Sequence, residues 1–213
     1  PNWRFNPDGT PDNNFGSNGF LTHDLGLINQ PGEQYGEFGQ ALAIDSQDRI
    51  VVAGYGPDVN GLINMALWRF TDTGALDSTF GTDHGANDPD DLPDGWVIHH
   101  SAAGGLGNDY GYAVVIDGSG RIVVAGQSFG SNQTYDMALW RFTDAGALDT
   151  GNFGAPNGFV THHNAGGGGA LSNDYGFGVA IDGSGRIAVA GYSDGGEFNL
   201  DDMTVWRFTD TGV

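Results

Sequence analysis

The stretch that decides the fold is IDGSGRIVVAG at residues 116–126, followed by MALWRF at residues 137–142. Related copies of the two phrases lie at 44–54, 181–191, 65–70 and 203–208, with a shortened Asn-Trp-Arg-Phe at 2–5. Successive copies are 65 to 72 residues apart. A long and nearly constant spacing between copies is typical of repeat architectures, in which one structural unit occurs several times along the chain.

Each repeat contains four short apolar stretches bounded by Gly, Asp, Asn or Pro, which indicates strands joined by turns. In the first repeat the predicted strands lie at 20–23, 40–44, 50–53 and 65–70. The tight Asp-Gly-Ser-Gly loop between the second and third strands of the later repeats favours an antiparallel hairpin. The sequence therefore predicts four-stranded antiparallel meanders.

These sheets are predicted to be apolar on both faces. In the fourth strand Ala66, Trp68 and Phe70 point one way, while Met65 and Leu67 point the other. Because no helical segment is predicted, only further sheets can cover both faces. The fold class that follows is all-β with β-propeller-type blades. A stacked β-solenoid is the alternative, although its turns usually repeat at shorter periods.

The repeats divide the chain into a last strand and linker of a preceding blade at 1–16 and three complete blades at 17–81, 82–154 and 155–213. The second blade carries an acidic insertion at 82–94. Propellers contain about 4–8 blades, so three four-stranded blades and one orphan N-terminal strand should not close. We expect an open segment of a larger ring, completed by further repeats of the same chain or by copies of itself.

The repeats resemble the delta-60 repeat of bacteria. The resemblance rests on the linkers TDTGALDSTFG at 71–81 and TDAGALDTGNFG at 143–154, on the weaker NPDGTPDNNFG at 6–16, and on the hairpin followed by MALWRF. It implies propeller blades and a secreted or surface protein, and it supplies no catalytic residue. The chain departs from the family in its longer repeats and in GRI, where the family commonly has a lysine.

Composition narrows the choice of partners. The 213 residues include 38 glycines and no cysteine, and the net charge is −20 with all seven basic residues being arginine. Nucleic acids and anionic membranes are poor partners for such a chain, no apolar run is long enough to insert into a membrane as a helix, and disulfides or thiolate metal sites are excluded. The acidity and the absence of lysine favour an extracellular or cell-surface setting.

The tryptophans and arginines recur at fixed positions of the repeats, which indicates a structural role. Guanidinium groups bind several carbonyl and carboxylate acceptors at once, and aspartates recur with the same period. We expect the arginines to bridge neighbouring blades. The residues concerned are Trp68, Trp140, Trp206, Arg69, Arg141, Arg207, Arg49, Arg121 and Arg186.

The acidic insertion is a candidate calcium site. Hard carboxylate oxygens crowded in one loop suit Ca²⁺, which accepts flexible coordination. The alternative is a solvated loop that keeps the protein soluble. The candidate ligands are Asp83, Asp88, Asp90, Asp91 and Asp94.

Three histidines, His23, His99 and His162, occupy the same position on the first predicted strand of each repeat. If that strand is innermost, they form a ring around the channel that could bind a transition metal or an anion. The alternative is that they are hydrogen-bonded residues at strand ends.

Catalysis has little support, because the sequence contains no nucleophile elbow, zinc-protease motif or phosphate loop. We expect a non-enzymatic structural or adhesive surface protein, whose blades form a scaffold that assembles with itself or with further repeats into a polymer. The alternative is a calcium- or carbohydrate-binding propeller module that binds glycans through Tyr55, Tyr135 and Tyr192. No cofactor other than Ca²⁺ is suggested.

Overall fold

A computed structural model describes residues 2–23, 36–58, 60–81, 94–169, 171–195 and 200–213. This part of the chain contains thirteen strands and one π-type turn at Gly154–Gly158. The strands are β1 (Asn2–Trp3), β2 (Phe20–Leu21), β3 (Phe38–Ile44), β4 (Ile50–Pro57), β5 (Ile63–Phe70), β6 (Trp96–His99), β7 (Gly104–Ile116), β8 (Ile122–Gly130), β9 (Tyr135–Phe142), β10 (Phe159–His162), β11 (Asp174–Ile181), β12 (Ile187–Gly195) and β13 (Leu200–Phe208).

The described strands form four antiparallel sheets. Two have four strands, in the orders β3-β4-β5-β6 and β7-β8-β9-β10. A third consists of β11-β12-β13, and β1 pairs with β2. The prediction of an all-β fold made of antiparallel meanders is confirmed, and the sheets do not close into a ring.

The division into blades differs from the prediction. Strand β6 pairs with β5, with Trp96 opposite Trp68 and His99 opposite Met65. In the same way β10 pairs with β9, so each four-stranded sheet takes its last strand from the next predicted blade. Hydrogen bonds of the linker explain why β6 pairs with β5. The N–H of Asp77 donates to the carbonyl oxygen of Arg69, and the N–H of Arg69 donates to the carbonyl oxygen of Gly95. These bonds turn the chain back along β5. The N-terminal strand is therefore not an orphan, since β2 is its partner.

The strands β3, β7 and β11 lie at the centre of the arrangement, where both β3 and β11 contact β7. Among the described strands, β2, β6 and β10 lie at the opposite edge of their sheets, each paired with the preceding strand. The interpretation that placed the histidine-bearing strand innermost is therefore wrong. The local pattern of a strand identifies it as a strand without specifying its partner.

The core lies between the sheets rather than within one layer. Met65 and Leu67 of β5 pack with Val124 and Trp140 of the second sheet. An equivalent cluster, which includes Met137, joins the second sheet to the third. Strand β5 is buried along its whole length, as expected for a sheet that is apolar on both faces. Each fully buried Leu or Met side chain contributes about 1.5–3 kcal/mol of hydrophobic stabilisation.

No helix in the part of the chain that the structure describes is long and apolar enough to cross a membrane.

Candidate functional site

Each central strand contains a β-bulge at the same place. The pairing of β7 with β8 skips one residue between Gly111 and Ala113, which leaves Tyr112 as the extra residue. The strands β3 and β11 are bulged at the equivalent residues, Gln40 and Phe177. A bulge of this kind re-aims side chains beside it, and here it does so on the central strand of each of the three larger sheets.

The bulge explains why a glycine occupies the last position of the VVAG phrase. A β-carbon on Gly126 would lie 1.8 Å from the carbonyl oxygen of Tyr110, and one on Gly54 would lie 1.8 Å from that of Phe38. Real contacts are never that short, so the bulged strand approaches its partner only where the partner has no side chain. Gly191 is in the same position beside Tyr175.

Aromatic side chains form one continuous surface along the bulged strands and the adjoining ends of β4, β9 and β12. Rings two residues apart stack almost parallel, with centroids 5.9 Å apart for Tyr110 and Tyr112 and 6.2 Å apart for Tyr175 and Phe177. We call this the aromatic surface. Its members are Phe38, Tyr55, Tyr110, Tyr112, Tyr135, Tyr175, Phe177 and Tyr192.

The aromatic surface crosses from sheet to sheet. Tyr55 of the first sheet lies 4.8 Å from Tyr110 of the second, in an edge-to-face arrangement. Tyr112 in turn lies 5.0 Å from Phe177 of the third sheet. Ring pairs at these distances add roughly 0.5–1.5 kcal/mol each beyond the burial of their area. The surface therefore joins the blades as well as lining their central edge.

The three tyrosines proposed from the sequence as a binding site, Tyr55, Tyr135 and Tyr192, all belong to this surface. They are half-buried rather than fully exposed. Burial raises the pKa of Tyr175 to about 12, and it also raises the pKa of Tyr192. The phenols of Tyr175 and Tyr192 are therefore protonated near neutral pH and are able to donate hydrogen bonds.

Two buried aspartates precede the tyrosines and fix the neighbouring loops, a role that the sequence did not reveal. Asp109 accepts hydrogen bonds from the backbone N–H groups of Ser101 (2.5 Å) and Phe129 (3.2 Å). Asp174 accepts one from Ala165 N at 3.2 Å. Burial raises the pKa of Asp109. Both carboxyl groups are fully buried, and their bonds to backbone indicate anchors for the loops.

The recurring arginines bridge consecutive repeats. Arg69 Nε donates to Asp77 Oδ2 at 2.8 Å, and Arg69 Nη1 donates to the carbonyl oxygen of Asp144 in the next linker. The guanidinium also lies over the ring of Phe80, 4.5 Å from its centroid. We call this set of contacts the arginine clamp. Arg141 repeats it with Asp149, Phe153 and the carbonyl of Asp210, and Arg4 with Asp12, Phe15 and the carbonyl of Asp72.

A second set of arginines joins the hairpin to its own turn. Arg49 Nε donates to Asp45 Oδ2 at 2.6 Å, and its Nη2 reaches Asp144 Oδ1 at 2.5 Å. Arg121 and Arg186 pair with Asp117 and Asp182 through the same short loop. All three arginines thus pair with aspartates of the scaffold, and Arg49 also does so between two repeats.

The predicted histidine ring is not formed. His99 at the outer edge accepts a hydrogen bond from Trp140 Nε1 at 3.1 Å, and its burial lowers its pKa to about 4. His162 similarly lies against Trp206 and His23 against Phe70. Among the described residues no group of three His, Cys, Asp or Glu side chains could hold a metal ion. Each of these histidines contacts an aromatic ring of the following sheet.

The candidate calcium ligands Asp83, Asp88, Asp90 and Asp91 lie outside the described residues. Asp94 is described and is partly buried just before β6. Calcium binding by this loop stays a prediction.

Two segments of the chain, residues 48–80 and 118–151, match the model of a family described as a domain of unknown function (DUF5122) beta-propeller. The first matched segment runs from the hairpin before β4 through β5, and the second runs from the hairpin before β8 through β9. Each segment ends in a linker that carries residues of the arginine clamp. Together with the open four-stranded antiparallel sheets, this match places the chain among proteins with β-propeller-type repeats. The narrower resemblance to the delta-60 repeat stays a prediction.

A solved structure similar to this chain is a fucose lectin from Kordia zhangzhouensis in complex with methyl-fucoside. The alignment covers 78% of this chain and 90% of that chain, with 14% sequence identity and a TM-score of 0.41. No curated protein matches the sequence.

Proposed function

We propose that the protein is a non-enzymatic β-propeller scaffold of the cell surface that associates with further copies of itself through open sheet faces. One observation carries this proposal. Met65 and Met137 are 0% exposed between sheets, whereas Met203, at the same position of the third sheet, is 80% exposed. Val205 is 60% exposed. The third sheet thus presents an apolar face of the kind that is buried between the other sheets.

The first sheet presents the complementary face. Leu42 and Ile44 of β3 are 54% and 60% exposed. Their counterparts Val114 and Ile116 pack against the cluster that contains Met65 and Leu67. The two open faces are therefore the two halves of an interface that already occurs inside the chain. Contiguous exposed apolar faces are typical of interaction surfaces.

The non-enzymatic part of the proposal is supported by the structural role of the residues that recur in the sequence. The arginines and aspartates that recur in the sequence form ion pairs with one another, and the recurring Trp68, Trp140 and Trp206 are buried in the core. An active site, in contrast, usually combines residues that act on one bound substrate.

Light scattering after gel filtration tests the association. We expect a mass above that of the 22.3 kDa chain, rising with protein concentration. It should also rise with salt, because screening reduces the repulsion between chains of net charge −20. Met203→Glu should weaken association at least about tenfold, since it places a charge in an apolar interface.

The control is Leu106→Glu, at an exposed leucine away from the open faces, which should leave the mass unchanged. A monomer at every concentration and salt level would contradict the proposal.

A second candidate function, binding of sugar rings, is supported by the aromatic surface. Phe38 and Phe177 are exposed members of it, and sugar rings stack on exposed aromatic faces beside hydroxyl donors. Titration with a panel of methyl glycosides, followed by tyrosine fluorescence, should reveal weak binding. Phe177→Ala should weaken it about fivefold, whereas Phe5→Ala, at an exposed ring outside this surface, should not. The absence of any response to the panel would exclude this candidate.

A further inference from the structure

The triplet Trp-Arg-Phe at residues 3–5 lies beside β2. Trp3 pairs with Phe20 of β2, as Trp68 pairs with Trp96 and Trp140 with Phe159. Among the described residues, which begin at Asn2, β1 pairs with β2 at Asn2 and Trp3. Trp3 is 52% exposed, whereas Trp68 is 4% exposed. The first Trp-Arg-Phe triplet is therefore less closely packed than the second.

A cavity of about 170 Å³ lies beside the end of β2 and the residues that follow it. Its lining on this side begins at Leu21, where the pairing of β2 with β1 ends. Its lining includes Thr22, His23, Gly39, Val52 and Trp68. The cavity thus lies between the outer strand β2 and the open face of the first sheet.

Methionines fill the equivalent places between the other sheets. Met65 is opposite His99, and its Cγ would lie 3.1 Å from a β-carbon on Gly111. Met137 is opposite His162, and its Cγ would lie 3.2 Å from a β-carbon on Gly176. In both places a glycine of the central strand makes room for the methionine. Gly39 makes the same room in the cavity.

We propose that β13 of one copy replaces β1 of a second copy. The triplet at 206–208 is identical to the triplet at 3–5, and in this position Met203 would fill the cavity beside Gly39. The pairing would extend from Met203 to Trp206, as it does between β5 and β6. This inference rests on the proposed self-association and specifies its partner, a second copy, and its contacts.

The exchange also completes an arginine clamp. Arg207 is exposed, whereas Arg69 and Arg141 are each 1% exposed. Beside β2 of the second copy, Arg207 would take the acceptors of Arg4, which are Asp12 Oδ2 and the carbonyl oxygen of Asp72. These acceptors belong to two linkers of the second copy, 6–16 and 71–81, so the clamp would join two chains in the way that it joins consecutive repeats.

The number of blades selects the size of the assembly. The interface is head-to-tail, and such interfaces form rings when the rotation closes. Among the described residues, each copy contributes three central strands, β3, β7 and β11, one for each blade. One copy would give three blades, below the usual range of about 4–8, and two copies give six. The expected assembly of this 213-residue chain is a two-fold ring.

Cysteine cross-linking tests the exchange in a chain that has no cysteine of its own. Ala66 is opposite Ile98 and Ala138 is opposite Thr161, so Thr204 should lie opposite Thr22 of the second copy. The variant carrying Thr204→Cys and Thr22→Cys should form a covalent dimer under mild oxidation. Thr204→Cys with Ser46→Cys, at an exposed hairpin position, should not.

A second measurement uses the exposed arginine. Arg207→Ala should raise the dissociation constant at least about tenfold, because a charge-assisted clamp is lost. The control Arg186→Ala, in the same sheet with its ion pair inside its own hairpin, should not change it.

The outcomes separate the two proposals. If the unmodified protein associates but neither the cross-link nor the effect of Arg207→Ala is found, strand exchange is wrong and self-association stands. If the unmodified protein stays monomeric, both are wrong. Cross-linking within one chain, or into a ladder of higher masses, would contradict the two-copy ring.

Discussion

Replacing Arg141 by alanine should lower the free energy of unfolding by about 3–5 kcal/mol, the usual effect of removing one member of a buried ion pair. The arginine is 1% exposed. Its Nη2 lies 2.8 Å from Asp149 Oδ2, and its guanidinium lies 4.7 Å from the ring centroid of Phe153. The alanine variant would leave the buried carboxylate of Asp149 without its partner and would remove a link to the next repeat at Asp210.

Thermal unfolding is the measurement, and the melting temperature should fall by about 10 °C for a domain of this size. Two variants serve as controls. Arg186→Ala removes an exposed pair with Asp182 and should leave the melting temperature within error of the unmodified protein. Arg141→Met combined with Asp149→Asn should be milder than Arg141→Ala, because no charge remains buried. A melting temperature unchanged by Arg141→Ala would refute the clamp.

Replacing Gly126 by alanine should destabilise the second sheet by about 3 kcal/mol or more, at the upper end of overpacking effects. The added β-carbon would lie 1.8 Å from Tyr110 O and 3.1 Å from Gly111 Cα. These are backbone atoms, so the strands must separate and the bulge at Tyr112 must be lost. Near-ultraviolet circular dichroism should report this as a weaker tyrosine signal, together with a lower melting temperature.

The matched control is Gly118→Ala in the adjacent hairpin. No atom lies within 4 Å of the β-carbon that would be added there, and the expected change is within about 0.5 kcal/mol. Equal effects of the two substitutions would show that the close approach of Tyr110 to Gly126 does not exist in solution.

The hairpins and the strands after them could be predicted from the sequence, because their signals are local. The turn Asp117 to Gly120 and the apolar run that follows Arg121 fix a strand boundary within a few residues. The observation that β5 is apolar on both faces was sufficient to predict that sheets cover sheets. The recurrence of arginine and aspartate also indicated that they belong to the scaffold.

The identity of the fourth strand could not be predicted, because pairing depends on how the linker turns. His99 looks the same in the sequence whether its strand lies at the centre or at the edge. The bulge at Tyr112 is equally hidden, since its visible sign is a glycine, Gly126, on another strand. The aromatic surface follows from these bulges, so its tyrosines appeared in the sequence only as separate exposed residues.

Hydrogen exchange of a peptide covering 203–208 tests most directly whether the outer edge of β13, in the third sheet, pairs with a second copy. In the isolated chain β13 has β12 as its partner on one side, so the amides of its other edge should exchange quickly. The account predicts that their exchange slows as protein concentration rises, because a second copy pairs with this edge. Identical exchange rates at low and high concentration would contradict it.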